Sequence, residues 1–365
     1  MTSLDLSADL VDLTRALCDL PSVSGDEKAL ADAVEQALRA YAHLEVLRDG
    51  DAVVARTTLG RPERVVIAGH LDTVPVADNL PARLVGDELW GRGTVDMKAG
   101  VAVQLALAAR VAEPTRDVTW VFYDHEEVAA DLNGLGRLVE RHPDWLTADF
   151  AVLGEPSNGG IEGGCNGTLR AEVRLHGRAA HSARPWTGDN AIHKAAEVLR
   201  RLAEYEPRTI EVDGLAYLES LNAVLVSGGV ATNVIPDECV VTVNYRFAPS
   251  ASPEQAADHV RQVFAGYEVV VTDAAPGARP GLDAPAAAQF AGVVLALTGG
   301  APAAKLGWTD VARFAELGVP AVNFGPGDPL LAHKDDERCP VHQIRQAYDA
   351  QLAWLTCPRE AADGA

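Results

Sequence analysis

Aromatic residues make up only 5% of this 365-residue chain, and cysteine and lysine are sparser still, with five of each. Cys18, Cys165, Cys239, Cys339 and Cys357 are odd in number, widely spaced and form no CxxC pair. That excludes a disulfide framework and a cysteine-ligated zinc finger, and leaves the thiols as small buried hydrophobes. Basic charge is scarce as well: 31 lysines and arginines face 52 aspartates and glutamates, for a net charge of −21. Phosphate backbones and anionic membranes repel such a chain, so neither nucleic acid nor membrane is expected as a partner. No apolar run reaches the roughly 18 residues of a spanning helix. Even Ala99–Ala112 is broken by Gln104 and Arg110. Asp5, Asp9 and Asp12, without a basic cluster, argue against a secretory signal, so the expected compartment is the cytoplasm.

What remains is an ordinary globular composition, 48% hydrophobic and 23% charged. The length suits about two domains. In the N-terminal half, Ser24 and Glu27 have the spacing of a capping box ahead of a helix over about 26–41. Short apolar runs at 64–69, 118–123 and 150–154 alternate with helical stretches such as 98–112. This predicts an α/β fold around a buried, mostly parallel sheet. The pattern changes near residue 169, where Leu169, Ala171, Val173 and Leu175 alternate with polar residues, a strand with one wet face. A helix over 190–204, strands at 222–230 and 238–247, a helix from Pro253 to about 264 and a strand at 268–272 follow. Together they predict a small α+β sandwich inserted into the larger domain. The Pro-, Gly- and Ala-rich stretch 274–285 reads as the return linker. Helices over 285–297, 308–317 and 341–355, with a strand at 319–324, then complete the first domain. The expected division is 1–168 plus 276–365 for the large domain and 169–275 for the insert.

Five polar clusters lie at or near the C-terminal ends of predicted strands, where open α/β sheets place their ligands. They are Gly69-His70-Leu71-Asp72-Thr73-Val74-Pro75, Gly91-Arg92-Gly93-Thr94-Val95-Asp96-Met97-Lys98, Asp124-His125-Glu126-Glu127, Gly154-Glu155-Pro156-Ser157 and His333-Lys334-Asp335-Asp336-Glu337. Each alone has a plainer explanation. A lone His is usually a satisfied loop residue, an Asp ahead of a helix is commonly its N-cap, and a charge run is usually a solvated surface. Taken together they supply two imidazoles and three carboxylates at similar positions, with a spare Asp and a spare Glu. That mixture of donors suits a pair of divalent ions, zinc first.

The blocks GHLDTVP, GRGTVDMKAG, DHEEV, GEPS and AHKDDE, in this order over essentially the whole chain, resemble the M20 family of dinuclear zinc amidohydrolases and peptidases. The resemblance implies that Asp96 bridges two metals, zinc with cobalt as the alternative. His70 and Glu155 would complete one site, Glu127 and His333 the other. Asp72 would orient His70, and the Asp96–Met97 peptide would be cis. Glu126 would be the general base, taking a proton from a metal-activated water and passing it to the departing amine. His181, in Ala-His-Ser-Ala-Arg-Pro, would stabilise the oxyanion. The family further implies a homodimer formed through the insert, with His181 reaching the partner's site. Arg184, Asn233, Arg246, Gly307 and Thr309 match its substrate-contact positions.

In detail the blocks look most like the desuccinylase branch, notably its actinobacterial form, which implies release of succinate from N-succinyl-L,L-diaminopimelate. The small molecule bound is thus an N-acylated amino acid. Where other desuccinylases carry a basic residue this chain has Cys165-Asn166, which keeps acetylornithine deacetylation as the nearest alternative. A dipeptidase or carboxypeptidase is further off, and a non-catalytic, metal-free binding protein of the same family or an acidic structural or interaction protein ranks well below a hydrolase.

Overall fold

The computed structural model describes residues 4–357, which separate into two compact units. The first comprises Met1–Gly163, Gly281–Ala303 and Arg313–Ala365. At its centre the strands Asp117–Tyr123, Arg64–His70, Phe150–Leu153 and Ala321–Asn323 lie side by side and run parallel. Their residues are almost all buried, as expected for a parallel sheet covered on both faces. Antiparallel strands Glu45–Asp49 and Ala52–Arg56 extend one side of the sheet. The helix Lys98–Arg110 is buried at every position but the last, so it is a core helix and not an amphipathic surface one. Helices Pro285–Thr298 and Val341–Thr356 return to this same core, where Phe150, Phe290, Phe324 and Trp354 meet; Phe290 and Trp354 pack edge-on at 4.8 Å. No helix among the described residues is long and apolar enough to cross a membrane.

The second unit comprises Gly164–Pro280 and Ala304–Ala312. Its antiparallel sheet orders Ser220–Gly228, Glu238–Phe247, Gly167–His176 and Glu268–Ala275. Alternate residues of Gly167–His176 point into a core shared with helices Ala191–Ala203 and Pro253–Val263. The segment 304–312 packs here and not in the large unit, where the linker pattern would put it. Asn166 explains this: its Nδ2 donates to the carbonyls of Leu218 and Leu306, and its N–H to that of Lys305. Trp308 Nε1 donates to the Pro276 carbonyl at 3.1 Å, and the following helix begins only at Val311.

One local expectation fails. The first-half helix runs over Lys28–Leu38, and its N-cap, Glu27, makes no side-chain cap bond. Ser24 Oγ donates instead to Asp72, and Glu27 accepts from the amides of Gly25 and His125. The capping-box spacing is present, but tertiary partners have claimed both side chains.

The helix Lys98–Arg110 lies so close to the strand ends that a Cβ on Gly100 would sit 2.2 Å from the Gly154 carbonyl oxygen. Replacing a helix-interior glycine by alanine ordinarily stabilises by up to about 1 kcal/mol. Here the obstacle is backbone, so Gly100→Ala is expected to cost about 1–3 kcal/mol in urea unfolding. A neutral or stabilising result would show that the helix can shift off the sheet.

Candidate metal centre

His70 ends its strand with the imidazole fully buried. Its Nδ1 lies 3.0 Å from the Asp72 carbonyl oxygen, an acceptor, so the ring proton sits on Nδ1 and Nε2 is turned toward the carboxylates. Nε2 is 3.1 Å from Asp96 Oδ1 and 3.9 Å from Glu155 Oε1. The other oxygen of Asp96 faces a second imidazole: Oδ2 is 3.3 Å from His333 Nε2, which is also 3.0 Å from Glu127 Oε2. Asp96 thus divides its two oxygens between two groups, one with His70 and Glu155, the other with His333 and Glu127. It does not cap the helix that follows, whose N-cap is Met97, and the Asp96–Met97 peptide is cis. Ligand atoms of His70, Asp96 and Glu127 lie within 4.8 Å of one another, a candidate metal-binding site.

The electrostatics favour a cation at this point. Burial alone would lower the His70 imidazole, but hydrogen bonds to Asp72 and Asp96 outweigh it and hold the ring well above its ordinary value. Hydrogen bonds to Asp96 and Glu127 push His333 up to about 10. Burial opposes ionisation of Asp96, yet the two imidazoles keep its carboxyl well below the usual range. Borderline nitrogen and hard oxygen donors in this proportion fit zinc or a similar divalent ion.

Asp72 is buried directly behind these groups. Beyond its contacts with His70, its Oδ1 and Oδ2 accept the backbone N–H groups of Glu126 and Glu127, each at 3.0 Å. Although burial raises it, the His70 contact and these amides bring its carboxyl down to about 2. Glu126, partly buried in the turn after Asp117–Tyr123, is fixed through its own backbone, and its charge adds to the field at His70.

The remaining candidates belong to the second unit. His181 is exposed, on a two-residue strand paired with Val234–Ile235. Its Nδ1 accepts the Ala183 N–H at 3.1 Å, so a neutral ring carries its proton on Nε2, as a donor. Asn233 adjoins it, its carbonyl accepting the Ser182 N–H, and the Arg184 N–H donates to the His181 carbonyl. Arg246 is part-buried on the sheet, with Nε donating to Asn244 at 3.0 Å. Gly307 and Thr309 lie on the segment 304–312, Gly307 exposed and Thr309 buried.

A family model, peptidase family M20/M25/M40, matches residues 66–356. The chain belongs to that family. It is 57% identical, over 96% of its length and 99% of the relative's, to a Mycobacterium tuberculosis protein provisionally named succinyl-diaminopimelate desuccinylase. It is 48% identical to the succinyl-diaminopimelate desuccinylase of Corynebacterium glutamicum, over 93% of this chain and 94% of that one. Among solved structures, a tripeptidase of Staphylococcus aureus superposes with a TM-score of 0.78 at 21% identity, covering 97% of this chain and 98% of its own. That likeness speaks for the fold.

One residue of the M20 blocks that the resemblance gives no role stands directly behind Asp96. Glu337, which the sequence presents as the end of a charged surface run, is 1% exposed. Its Oε1 accepts the N–H groups of Val95 and Asp96 at 2.9 and 3.2 Å, and its Oε2 pairs with the buried Arg92 at 2.7 Å. In the sequence Arg92 stands between two glycines and Glu337 ends a charged run, and neither local pattern marks a buried pair. Nothing local pairs them across more than two hundred residues. Glu337→Ala strands a buried guanidinium and two amides, so a loss of about 3–5 kcal/mol is expected in equilibrium unfolding. A loss below about 1 kcal/mol would mean that the turn before Asp96 does not depend on the pair.

Proposed function

We propose that this M20 chain hydrolyses N-succinyl-L,L-2,6-diaminopimelate to succinate and L,L-diaminopimelate, a step of diaminopimelate and lysine biosynthesis. The observation that carries the reading is near-full-length identity of 57% and 48% to relatives bearing the desuccinylase name, on a chain that keeps the donor cluster described above. The proposed metal ligands are His70, Asp96 and Glu155 for one divalent ion and Asp96, Glu127 and His333 for the other, with zinc preferred and cobalt the alternative. When bound, such ions lower the pKa of a water and polarise the scissile carbonyl.

The chain's own residues have the following parts. Glu126 removes a proton as the water oxygen adds to the succinyl carbonyl carbon. It returns that proton to the diaminopimelate nitrogen as the C–N bond breaks. Asp72 keeps His70 oriented and, by accepting hydrogen bonds from two backbone N–H groups, holds the turn carrying Glu126. His181, with its proton on Nε2, is the proposed donor to the oxyanion, supplied by the partner subunit of a homodimer in the cytoplasm. Self-association through the second unit is supported by its edge strand, where Val224, Leu225 and Val226 are all at least half exposed.

The substrate carries three carboxylates, and most arginines of the second unit already hold an acid of the protein, such as Arg174 with Glu172, Arg208 with Glu219 and Arg279 with Asp213. Arg184 and Arg246 make no such pair among the described residues, which supports both as carboxylate contacts, with Asn233, Gly307 and Thr309 as further substrate contacts. Cys165-Asn166 favours a second reading. With Asn166 buried and bonded to backbone carbonyls, no basic side chain stands at that position, and acetylornithine lacks the distal carboxylate that would need one.

Two measurements test this. Glu126→Gln is expected to keep both metals, by elemental analysis, while kcat falls by at least about a thousandfold; near-normal turnover would remove Glu126 as the base. Side-by-side kcat/KM values of zinc-loaded protein should favour N-succinyl-L,L-diaminopimelate over N-acetylornithine by about a hundredfold or more, near 3 kcal/mol in transition-state binding. A preference for acetylornithine would keep the catalytic residues and overturn the substrate.

A further inference from the structure

Glu27 is a fully buried carboxylate that neither caps its helix nor belongs to the donor cluster, and its Oε2 has no hydrogen-bond partner among the described residues. Burial of such a group is costly unless something requires it. Its Oε1 accepts the Gly25 N–H at 2.9 Å and the His125 N–H at 3.3 Å, and lies 3.4 Å from His125 Nδ1. The next two amides, of Glu126 and Glu127, go to the two oxygens of Asp72. Three consecutive backbone N–H groups are therefore held by two buried carboxylates. His125 has φ +60°, in the left-handed region that only a few per cent of non-glycine residues occupy. Successive amides on either side of such a residue form a concavity that binds an anion; here the anions are the protein's own.

The segment that brings Glu27 into place is anchored at the same spot. Ser24 Oγ donates to Asp72 Oδ2 at 2.7 Å and Ser24 N–H to the Thr73 carbonyl, while Ser22 accepts the Thr73 N–H and donates its hydroxyl to the Leu71 carbonyl. From its other side, the His125 ring is held by Asp124 Oδ2 at 2.7 Å, and Asp124 is in turn gripped by Arg137. A turn gripped in this way sets the direction in which Glu126, the next residue, leaves the backbone.

We infer that Glu27, seconded by Ser24, is a positioning residue for Glu126: it holds the left-handed turn at His125 from which the general base projects. This rests on the reading of Glu126 as the base. Glu27 touches no reacting atom; it acts through the His125 amide, so its part is to place an acceptor oxygen there.

The test compares Glu27→Ala, Glu27→Gln and Glu27→Asp with the unmodified protein, well below each variant's Tm. In Glu27→Ala, hydrogen exchange of a peptide spanning residues 122–130 should accelerate about tenfold or more. Its kcat on N-succinyl-L,L-diaminopimelate should fall about 10- to 100-fold with KM within about twofold, the usual size of a small misplacement of a reacting group. Glu27→Gln, which keeps the acceptor, should restore both to within about threefold. Unchanged exchange or unchanged kcat in Glu27→Ala overturns the proposal, as does a kcat loss that Glu27→Gln fails to rescue. If Glu27→Ala does not fold, Glu27→Asp decides, since it keeps the charge and withdraws the acceptor by one methylene: wild-type exchange and kcat would overturn the inference. If the unmodified protein does not turn over this substrate, the substrate reading has failed, and the exchange rates still decide the role of Glu27.

Discussion

Asp96, Glu127 and Glu155 converge on two imidazoles in a largely buried place, with Glu126 and Asp72 close behind, and the rest of the first unit has to hold them there. Two like charges 4 Å apart repel by about 4 kcal/mol at an effective dielectric of 20. Such a group of carboxylates survives only where each is answered by something positive. The structure answers in alternating layers. His70 and His333 stand between carboxylates; behind His70 is Asp72, and behind Asp72 come the amides of Glu126 and Glu127. Behind Asp96 the order is backbone N–H, Glu337 and then Arg92, with the arginine locked to the Pro75 and Lys334 carbonyls. In neither direction does a charge end on apolar side chains without a partner of opposite sign or a dipole.

This layering explains what could be read from the sequence. The innermost layer is legible because it must sit at strand ends: His70, Glu127 and Glu155 each follow an apolar run, and polar residues there need a reason. The parallel strands themselves are legible as continuous apolar stretches, and the alternating pattern of Gly167–His176 marks the change to a sheet with one wet face. The outer layers are not legible, since their residues carry local patterns that point elsewhere. Ser24 and Glu27 look like a capping box, and Glu337 looks like the end of a solvated charge run. Only the tertiary partners, Asp72 and His125 for the first pair and Arg92 for the second, override those patterns. The segment 304–312 escaped notice for the same reason. Its attachment runs through buried Asn166 and through the Trp308 indole N–H on the Pro276 carbonyl, and no local pattern marks either contact.

Helix Lys98–Arg110 shows how packing and site are coupled. Its first turn follows Asp96, and its glycine at 100 admits the Gly154 carbonyl, one residue before Glu155. Gln104, one turn on, donates to the Ala68 carbonyl, two residues before His70. One buried helix thus touches the approaches to three of the donors, and its position sets their spacing. A helix with an apolar stripe and a wet face could slide along the sheet. This one is enclosed on nearly every side and cannot.

The acidic surface bears on the proposed substrate in a similar way. A chain of net charge −21 repels a tricarboxylate at long range, but at physiological ionic strength that field decays over about 8 Å. Selection among acylated amino acids is then left to the nearest uncommitted cations. In the second unit most guanidiniums are paired with acids of the protein, and a paired guanidinium offers a substrate little, because the acid must first be displaced. Unpaired arginines in such a chain are therefore worth more than their number implies. An acyl group ending in a carboxylate gains from each of them, and one ending in a methyl gains nothing, so under the proposed reading the choice between succinyl and acetyl turns on whether the proposed contacts Arg184 and Arg246 can reach that end of the substrate.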